Sequence, residues 1–498
     1  MSSLEGLGYG FSVAFTTQNI FSVLLGTIIG TLIGVLPGIG PAGTMALLLP
    51  ITLKMSPVTA LIMLAGIFYG AQYGGSTTSI LLNVPGESSS VITCIDGYQM
   101  AKKGRAGAAL AVAAVGSFIA GTLGVIVLMI FAPVLADFAV AFGPPEFFGL
   151  AIFGLFTLSR ISSGSFWQTL FVVAIGLALT TIGMDPISSV SRYTFGVVQL
   201  GQGIELVPVV MGLFGVAEVL CVAEEAGGLP RLMGVKLREL FPNATEWRRS
   251  FAPIFRGAGV GFLWGLIPGP ATIISTFSSY RLEKRLSKHP EEFGKGAIEG
   301  VAGPESANNA ATSAAFVPLL SLGIPFSPGP AMLLACLLIQ GVQVGPLLIS
   351  EHPNIFWGVV ASMYIGNVAL LVLNLPLIGI WTSVLRVPQS ILLASILLLT
   401  FVGAYSVNNS FLDVVVLVVM GIVGYIFRKL KLDPSPLVVA LVLGPMLERT
   451  FRESLFMSRG DPLIFFQRPI TVAFLSALAL VFVIPPFLRF TKEALRSA

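Results

Sequence analysis

Residues 26–41 read GTIIGTLIGVLPGIGP, and residues 257–270 read GAGVGFLWGLIPGP. In both, glycines recur at every fourth position. They fall on one helix face and let a second backbone approach closely. A Pro-Gly pair then interrupts the pattern, because proline has no N–H to donate and clashes with the preceding turn. Gly26, Gly30, Gly34, Pro37 and Gly38 match Gly257, Gly261, Gly265, Pro268 and Gly269, each pair 231 residues apart. Further out, Lys54, Gly66, Thr78 and Ser79 match Lys288, Gly300, Thr312 and Ser313 at 234. Leu82, Val84 and Pro85 match Leu322, Ile324 and Pro325 at 240, and Ser117, Gly121, Ser165 and Phe166 match Ser362, Gly366, Ser410 and Phe411 at 245. Asp185-Pro186 matches Asp433-Pro434 at 248. The offsets rise steadily, as small insertions would make them, and indicate two copies of one unit.

The 498 residues are 55% hydrophobic and 10% charged, with a mean hydropathy of +0.91. Soluble domains carry about 25% charged residues. With 28 basic and 24 acidic residues the chain cannot cover a soluble surface of this size. A cytosolic enzyme, a disordered chain and a disulfide scaffold are excluded. What remains is an all-α polytopic membrane protein, with room for roughly ten to fourteen spans of about 20 residues each. HExxH, CxxC and GxxxxGK[ST] are all absent, and no Ser-His-Asp set is suggested, so neither an enzyme nor an ATP motor is expected. Cys94, Cys221 and Cys336 lie in apolar runs and read as core residues. No cofactor and no nucleic-acid partner are expected.

Charge decides how the copies are oriented. Lys102, Lys103 and Arg105 face a counterpart near Gln340–Ser350 without Lys or Arg. Arg281, Lys284, Arg285, Lys288 and Lys295 face only Lys54, and Arg428, Lys429 and Lys431 face the uncharged Thr181–Met184. Each basic loop answers a near-neutral one, as inverted topology requires under the positive-inside rule. A stretch with Arg231, Lys236, Arg238, Arg248 and Arg249 reads as a cytoplasmic linker. The cytoplasmic set then holds 22 of the 28 basic residues. The expected division is an outer segment at 1–19, a first repeat at 20–225, a linker at 226–252, a second repeat at 253–460, and a final span with its cytoplasmic tail at 461–498. The N-terminus is expected outside and the C-terminus inside. Ile20–Leu53 and Pro253–Lys288 become hairpins with the Pro-Gly at the turn, and Thr471–Leu488 is an unpaired last span.

Irregular backbone at membrane depth is tolerated where it is buried in protein or lines a polar cavity. Four breaks qualify: Leu36–Pro41, Asn83–Gly86, Ile267–Pro270 and Gly323–Phe326. Broken helices in matching places point to a transporter's site. Half-helix N-termini suit an anion, and freed carbonyls suit a cation. Gly38, Gly40, Pro85, Gly86 and Gly269 are therefore candidate substrate contacts. The hydroxyls and amides beside them join the set: Ser76, Thr77, Thr78, Asn83, Ser88, Ser89, Asn308, Asn309, Thr312 and Ser313. Interhelical hydrogen bonding is the competing use of the same groups. Carbonyls of Leu36, Pro37, Ile267, Pro268 and Gly323 are candidates for holding Na⁺. Glu87, Asp96, Glu299 and Glu305 are the acids at membrane depth, with interfacial ion pairs the alternative for Asp96 and Glu299. No Arg or Lys is expected near the breaks, so a carboxylate would rely on dipoles, amides and a co-bound cation.

The stretches GTLIGVLPGIGPAGTMALLLP (30–50), YGGSTTSILLNVPGESSSV (73–91), DGYQMAKKGRAG (96–107) and EEFGKGAIEGVAGPESANNAATSAAFVPLLSLGIP (291–325) resemble the large membrane subunit of bacterial tripartite tricarboxylate transporters. The resemblance runs over most of the chain. It implies an inner-membrane permease that works with a small, few-span membrane subunit and a periplasmic substrate-binding protein. It also implies import of a carboxylate such as citrate, driven by a cation gradient, commonly Na⁺. Gly-Ile-Pro-Phe at 323–326 departs from the family's Gly-Ile-Pro-Gly, a change that bears on substrate shape. A channel without coupling is the alternative function.

Overall fold

The computed structural model describes residues 2–36, 40–161, 165–185, 187–224, 241–384, 389–480 and 482. The chain is helical, as its composition requires. The first half holds α1 (Ser3–Ala14), α2 (Thr17–Val35), α3 (Gly40–Thr52), α4 (Pro57–Leu82) and α5 (Val91–Lys102). It continues with α6 (Ala106–Ala139), α7 (Pro144–Ile161), α8 (Phe166–Thr180), α9 (Leu206–Val210) and α10 (Ala217–Glu224); a π-helical segment, Met211–Val216, joins the last two. The second half starts with α11 (Ala244–Gly265), α12 (Ala271–Leu286), α13 (Glu299–Ala314), α14 (Phe316–Leu322) and α15 (Pro328–Ile339). After α16 (Leu348–Glu351) come α17 (Pro353–Asn374), α18 (Ile378–Val384), α19 (Gln389–Asn408), α20 (Phe411–Lys429), α21 (Ser435–Met457) and α22 (Ile464–Gln467). A two-residue antiparallel hairpin, β1 (Gly183–Met184) with β2 (Ser191–Arg192), is the one sheet among the described residues.

Among the described residues, six helical stretches are long and apolar enough to cross a membrane: Thr17–Val35, Pro57–Leu82, Ala106–Ala139, Leu206–Glu224, Pro353–Asn374 and Phe411–Lys429. Six shorter apolar helices accompany them, including Pro469–Leu480 at the start of the expected last span. The protein is an all-α polytopic membrane protein. α4 is almost wholly enclosed, whereas α20 turns many large apolar side chains outward, as a helix facing lipid does.

The glycine runs do what their spacing predicts. Gly26, Gly30 and Gly34 of α2 lie on the carbonyls of Met63, Ile67 and Ala71 of α4. Gly257, Gly261 and Gly265 of α11 lie on those of Gly303, Ala307 and Ala311 of α13. A Cβ at any of the six would come within 3.0 Å of a backbone oxygen. Other pairings recur too: α17 on α4 answers α6 on α13, and α21 on α8 answers the Met211–Val216 segment on α20. The partners on α4 and α13 are 240 residues apart, so the 234 offset read from Gly66 and Gly300 is not the register in which the helices pack.

Ion pairs gather by end. Arg105 pairs with Glu246, Lys103 Nζ donates to the Lys295 carbonyl at 2.6 Å, and Arg249 Nε lies 2.7 Å from Glu299 Oε1. In a separate group, Arg452 Nη1 lies 2.8 Å from Asp185 and Arg192 Nη1 2.7 Å from Glu448. Glu299 thus makes an ion pair, the alternative reading offered for it. Asp96 does not. Its Oδ1 accepts the backbone N–H groups of Gly294, Gly296 and Ala297 at 2.7–2.9 Å, and Oδ2 accepts from the Tyr280 hydroxyl.

Candidate functional site

The local sequence builds each break. α4 stops at Asn83, whose left-handed backbone (φ 59°, ψ 29°) closes the helix before Pro85. α14 stops the same way at Gly323 (φ 72°), with Pro325 following. Gly269, at φ 139°, takes a conformation open to glycine, and its N–H donates to the Phe326 carbonyl at 3.2 Å. This ties the two breaks of the second half together. In the first half Gly86 does the tying. It sits so close to the Gly34 carbonyl, Gly75 Cα and the Thr78 hydroxyl that a Cβ would come within 3.0 Å of all three.

Three of the four breaks line one cavity of about 550 Å³, and the chain just after the fourth, from Ser327, joins them. Its wall includes Gly40–Gly43 at the start of α3, Pro85–Ser88 ahead of α5, Pro270–Ile273 at the start of α12, and Ser327–Gly329 at the start of α15. Asp433–Ser435 add the start of α21. Helix N-termini carry unpaired N–H groups and the positive end of the dipole. Several of them around one space favour an anion. Arg428 and Lys431 also line this cavity, with Arg428 paired to Glu218. The expectation of no Arg or Lys near the breaks is therefore corrected. These cations lie far along the chain in α20 and the loop after it, and only packing brings them here.

One wall is acidic and amide-rich. Gln72 and Glu87 line the cavity, and Gln72 is 2% exposed. Asn308 Nδ2 donates to Glu87 Oε1 at 3.1 Å, and the Ser89 N–H donates to Oε2 at 3.3 Å. The Ser89 hydroxyl touches Glu87 Oε1 and lies 2.8 Å from Asn308 Oδ1. One helical turn before Asn308, Glu305 accepts from the hydroxyls of Ser76, at 2.5 Å, and Thr93. Among the described residues neither carboxylate has a Lys or Arg within ion-pair distance.

The sequence candidates divide. Gly40, Pro85, Gly86 and Ser88 line the cavity, and Ser89 and Asn308 stand directly behind Glu87. Gly269 adjoins the wall at Pro270. Asn309 donates to Ser117 at 2.7 Å, and Ser313 to the Gly121 carbonyl at 3.4 Å, so both join α13 to α6. Thr78 and Thr312 donate to carbonyls of their own helices, Thr77 borders a separate small void with Tyr73, and Asn83 is an exposed cap. Ser76 belongs to Glu305. Of the carbonyl candidates, Leu36, Ile267, Pro268 and Gly323 sit in the breaks; Pro37, like Gly38, lies outside the described residues. Phe326 does not line the cavity. It packs with Leu155 of α7 and Leu443 of α21 in an apolar cluster.

Gln72 escaped sequence reading. A lone amide in the apolar helix α4, one turn before Ser76, is its only signal. Nothing local marks Arg428 or Lys431.

Broken helices bordering one cavity in a polytopic bundle are a pattern of membrane transporters. Comparison with known proteins agrees and goes further. The chain belongs to the tripartite tricarboxylate transporter TctA family, which matches residues 20–439. It is therefore a permease-type subunit of a tripartite transport system. It is 46% identical over 477 residues, 96% of this chain and 95% of the relative, to an uncharacterized 52.8 kDa protein in the TAR-I ttuC' 3' region of Agrobacterium vitis. It is 47% identical over 224 residues, 45% of this chain and 92% of the relative, to an uncharacterized protein in the TAR-II ttuC' 3' region of the same organism. No solved structure matches.

Proposed function

We propose that this permease subunit imports a di- or tricarboxylate such as citrate, coupled to an inward Na⁺ gradient. The partners are a small few-span membrane subunit and a periplasmic binding protein that delivers the substrate. The two repeats lie inverted in the bacterial inner membrane, with the N-terminus periplasmic and the C-terminus cytoplasmic. Access alternates by movement around the four breaks. The observation that carries this reading is the meeting of helix N-termini from both halves at one cavity of about 550 Å³. That size lies within the range of about 300–1,000 Å³ found for small-molecule sites. Arg428, on the last turn of α20, and Lys431, in the loop after it, belong to the stretch expected in the cytoplasm, so on this reading the cavity faces inward.

Counterflow in proteoliposomes tests it. Vesicles loaded with unlabelled citrate should accumulate labelled citrate transiently above equilibrium, and an inward Na⁺ gradient should enlarge the uptake. Simple equilibration without overshoot would mark a channel and overturn the carrier reading.

A further inference from the structure

Gln72, Glu87, Ser89 and Asn308 crowd their polar atoms into one buried spot on the cavity wall. As placed, the Gln72 amide oxygen accepts from the Ser89 hydroxyl at 3.2 Å and otherwise crowds the Glu87 and Asn308 oxygens. Turning the amide over would put its nitrogen 3.1 Å from Asn308 Oδ1, 3.0 Å from each Glu87 oxygen and 3.2 Å from Ser89 Oγ. The oxygens of four side chains thus lie about one contact distance apart. Asn308 Nδ2 and the Ser89 N–H each donate to Glu87, but the single Ser89 hydroxyl proton has the Glu87, Gln72 and Asn308 oxygens all within its reach. Oxygens packed this way repel one another unless protons or a cation lie between them. Carboxylate, amide and hydroxyl oxygens are the ligands a hard cation takes.

We propose that these four side chains form a binding site for one dehydrated monovalent cation of the Na⁺ kind. The charge count fixes the valence. Glu87 is the one carboxylate among the clustered oxygens, which suits a single positive charge; Glu305 lies outside the cage, its oxygens accepting from Ser76 and Thr93. The Gln72 amide serves both states: its N–H₂ faces Glu87 when the site is empty, and its oxygen faces inward when the cation is bound. This displaces the coupling cation from the backbone carbonyls of the breaks to side chains of α4, α13 and the 83–90 loop.

The inference rests on the carboxylate-transport reading above and supplies its coupling. Glu87 borders the same cavity as the helix N-termini. With the site empty its charge repels an anionic substrate; with the cation bound, that wall becomes neutral. Each ligand then raises the other's affinity by the same factor, about 5–150-fold for typical couplings.

The test uses the purified full chain without any carboxylate. Its melting temperature is followed as NaCl replaces choline chloride at constant ionic strength. A saturable rise is expected for the unaltered protein. Glu87→Gln and Asn308→Ala should each raise the half-saturating Na⁺ concentration at least tenfold, and Ser89→Ala supplies another arm if one of them does not fold. Ser362→Ala, which removes a buried hydroxyl in α17, should leave it unchanged. Folded variants that keep the original Na⁺ response would overturn the site. So would stabilisation by acid with indifference to Na⁺, which would assign the cage to a proton. Uptake into proteoliposomes separates the two ideas. Na⁺-driven uptake untouched by the cage variants faults this site alone; uptake indifferent to Na⁺ faults the coupling reading as well.

Discussion

The two helical hairpins, α2–α3 and α11–α12, start alike and finish differently. Their first arms lie on α4 and α13 through glycines spaced by four, backbone against backbone. Their second arms part company. α3 touches α2 little and spreads over α4, Met211–Val216, α15 and α19 with apolar side chains such as Met45, Ala46 and Leu49. α12 folds back along α11 and α13 with polar ones. Its Ser275 donates to the Ala307 carbonyl at 3.3 Å, and its buried Glu283 meets Arg256 of α11 at 2.9 Å. Contacts made through absent side chains specify one geometry and leave little room to vary. Contacts made through side chains can be rewritten, so the copies share a frame and diverge in the arm that borders the cavity.

The largest effect should come from testing the shared frame. Gly30→Leu and Gly261→Leu insert a side chain where even a Cβ overlaps a carbonyl. Overpacking of this kind costs about 1–3 kcal/mol or more even where a core can adjust. Here both variants should fail to give a monodisperse peak in detergent size-exclusion chromatography. If only one fails, the two contacts are not equivalent and the repeat is looser than its glycines imply.

The second arms should then respond to different insults. Met45→Ala in α3 should cost about 2–5 kcal/mol by leaving a cavity, with no dependence on salt. Arg256→Ala in α12 leaves Glu283 without its cation. Because Arg256 is half-exposed, about 1–3 kcal/mol is expected, the cost of a charged group left without its partner. Molar salt should loosen this arm in the unaltered protein and have little effect in the variant. Thermal melts at low and high NaCl distinguish them, and equal salt responses would erase the contrast between the arms.

The smallest effect concerns the ion network at Asp185. The backbone N–H groups of Ser188 and Ile187, with Arg452, hold its carboxyl well below the usual carboxylate range. A depressed folded-state value means that the contribution is complete above the ordinary value, near 3.9, and is lost as pH falls toward the folded value. Melting temperature should therefore fall between about pH 4 and pH 2 more steeply in the unaltered protein than in Asp185→Asn. Parallel pH profiles would show that the network adds nothing to stability.

Much of the frame was legible because it depends on local rules. Glycine at a spacing of four needs a partner backbone, and Pro-Gly ends a helix whatever surrounds it. The breaks at 83–86 and 323–326 follow from their prolines in the same way, and Ser89 and Asn308 stand out as polar groups near them, but that Asn308 meets Glu87 does not follow from the sequence. The helix ends were less visible. The Ser76–Ser79 cluster lies on the last turns of α4 rather than in a loop, since its hydroxyls can donate back along the helix, as Thr78 does. Gln72, Arg428 and Lys431 were beyond reach because their importance is set by what lies across the cavity. The 234 offset shows the opposite failure. Gly66 and Gly300 matched because glycine is common, 55 residues in this chain.

Phe326 stands where the resembled family's motif has a second glycine, and its two ends face different structures. Its carbonyl accepts the N–H of Gly269, and its ring is sunk between α7, from the first half, and α21, from the second. The residue therefore joins the α7–α21 cluster to the tip of the α11–α12 hairpin, through its ring on one side and its carbonyl on the other. Replacing it with glycine would disengage that linkage while leaving the cavity wall unaltered.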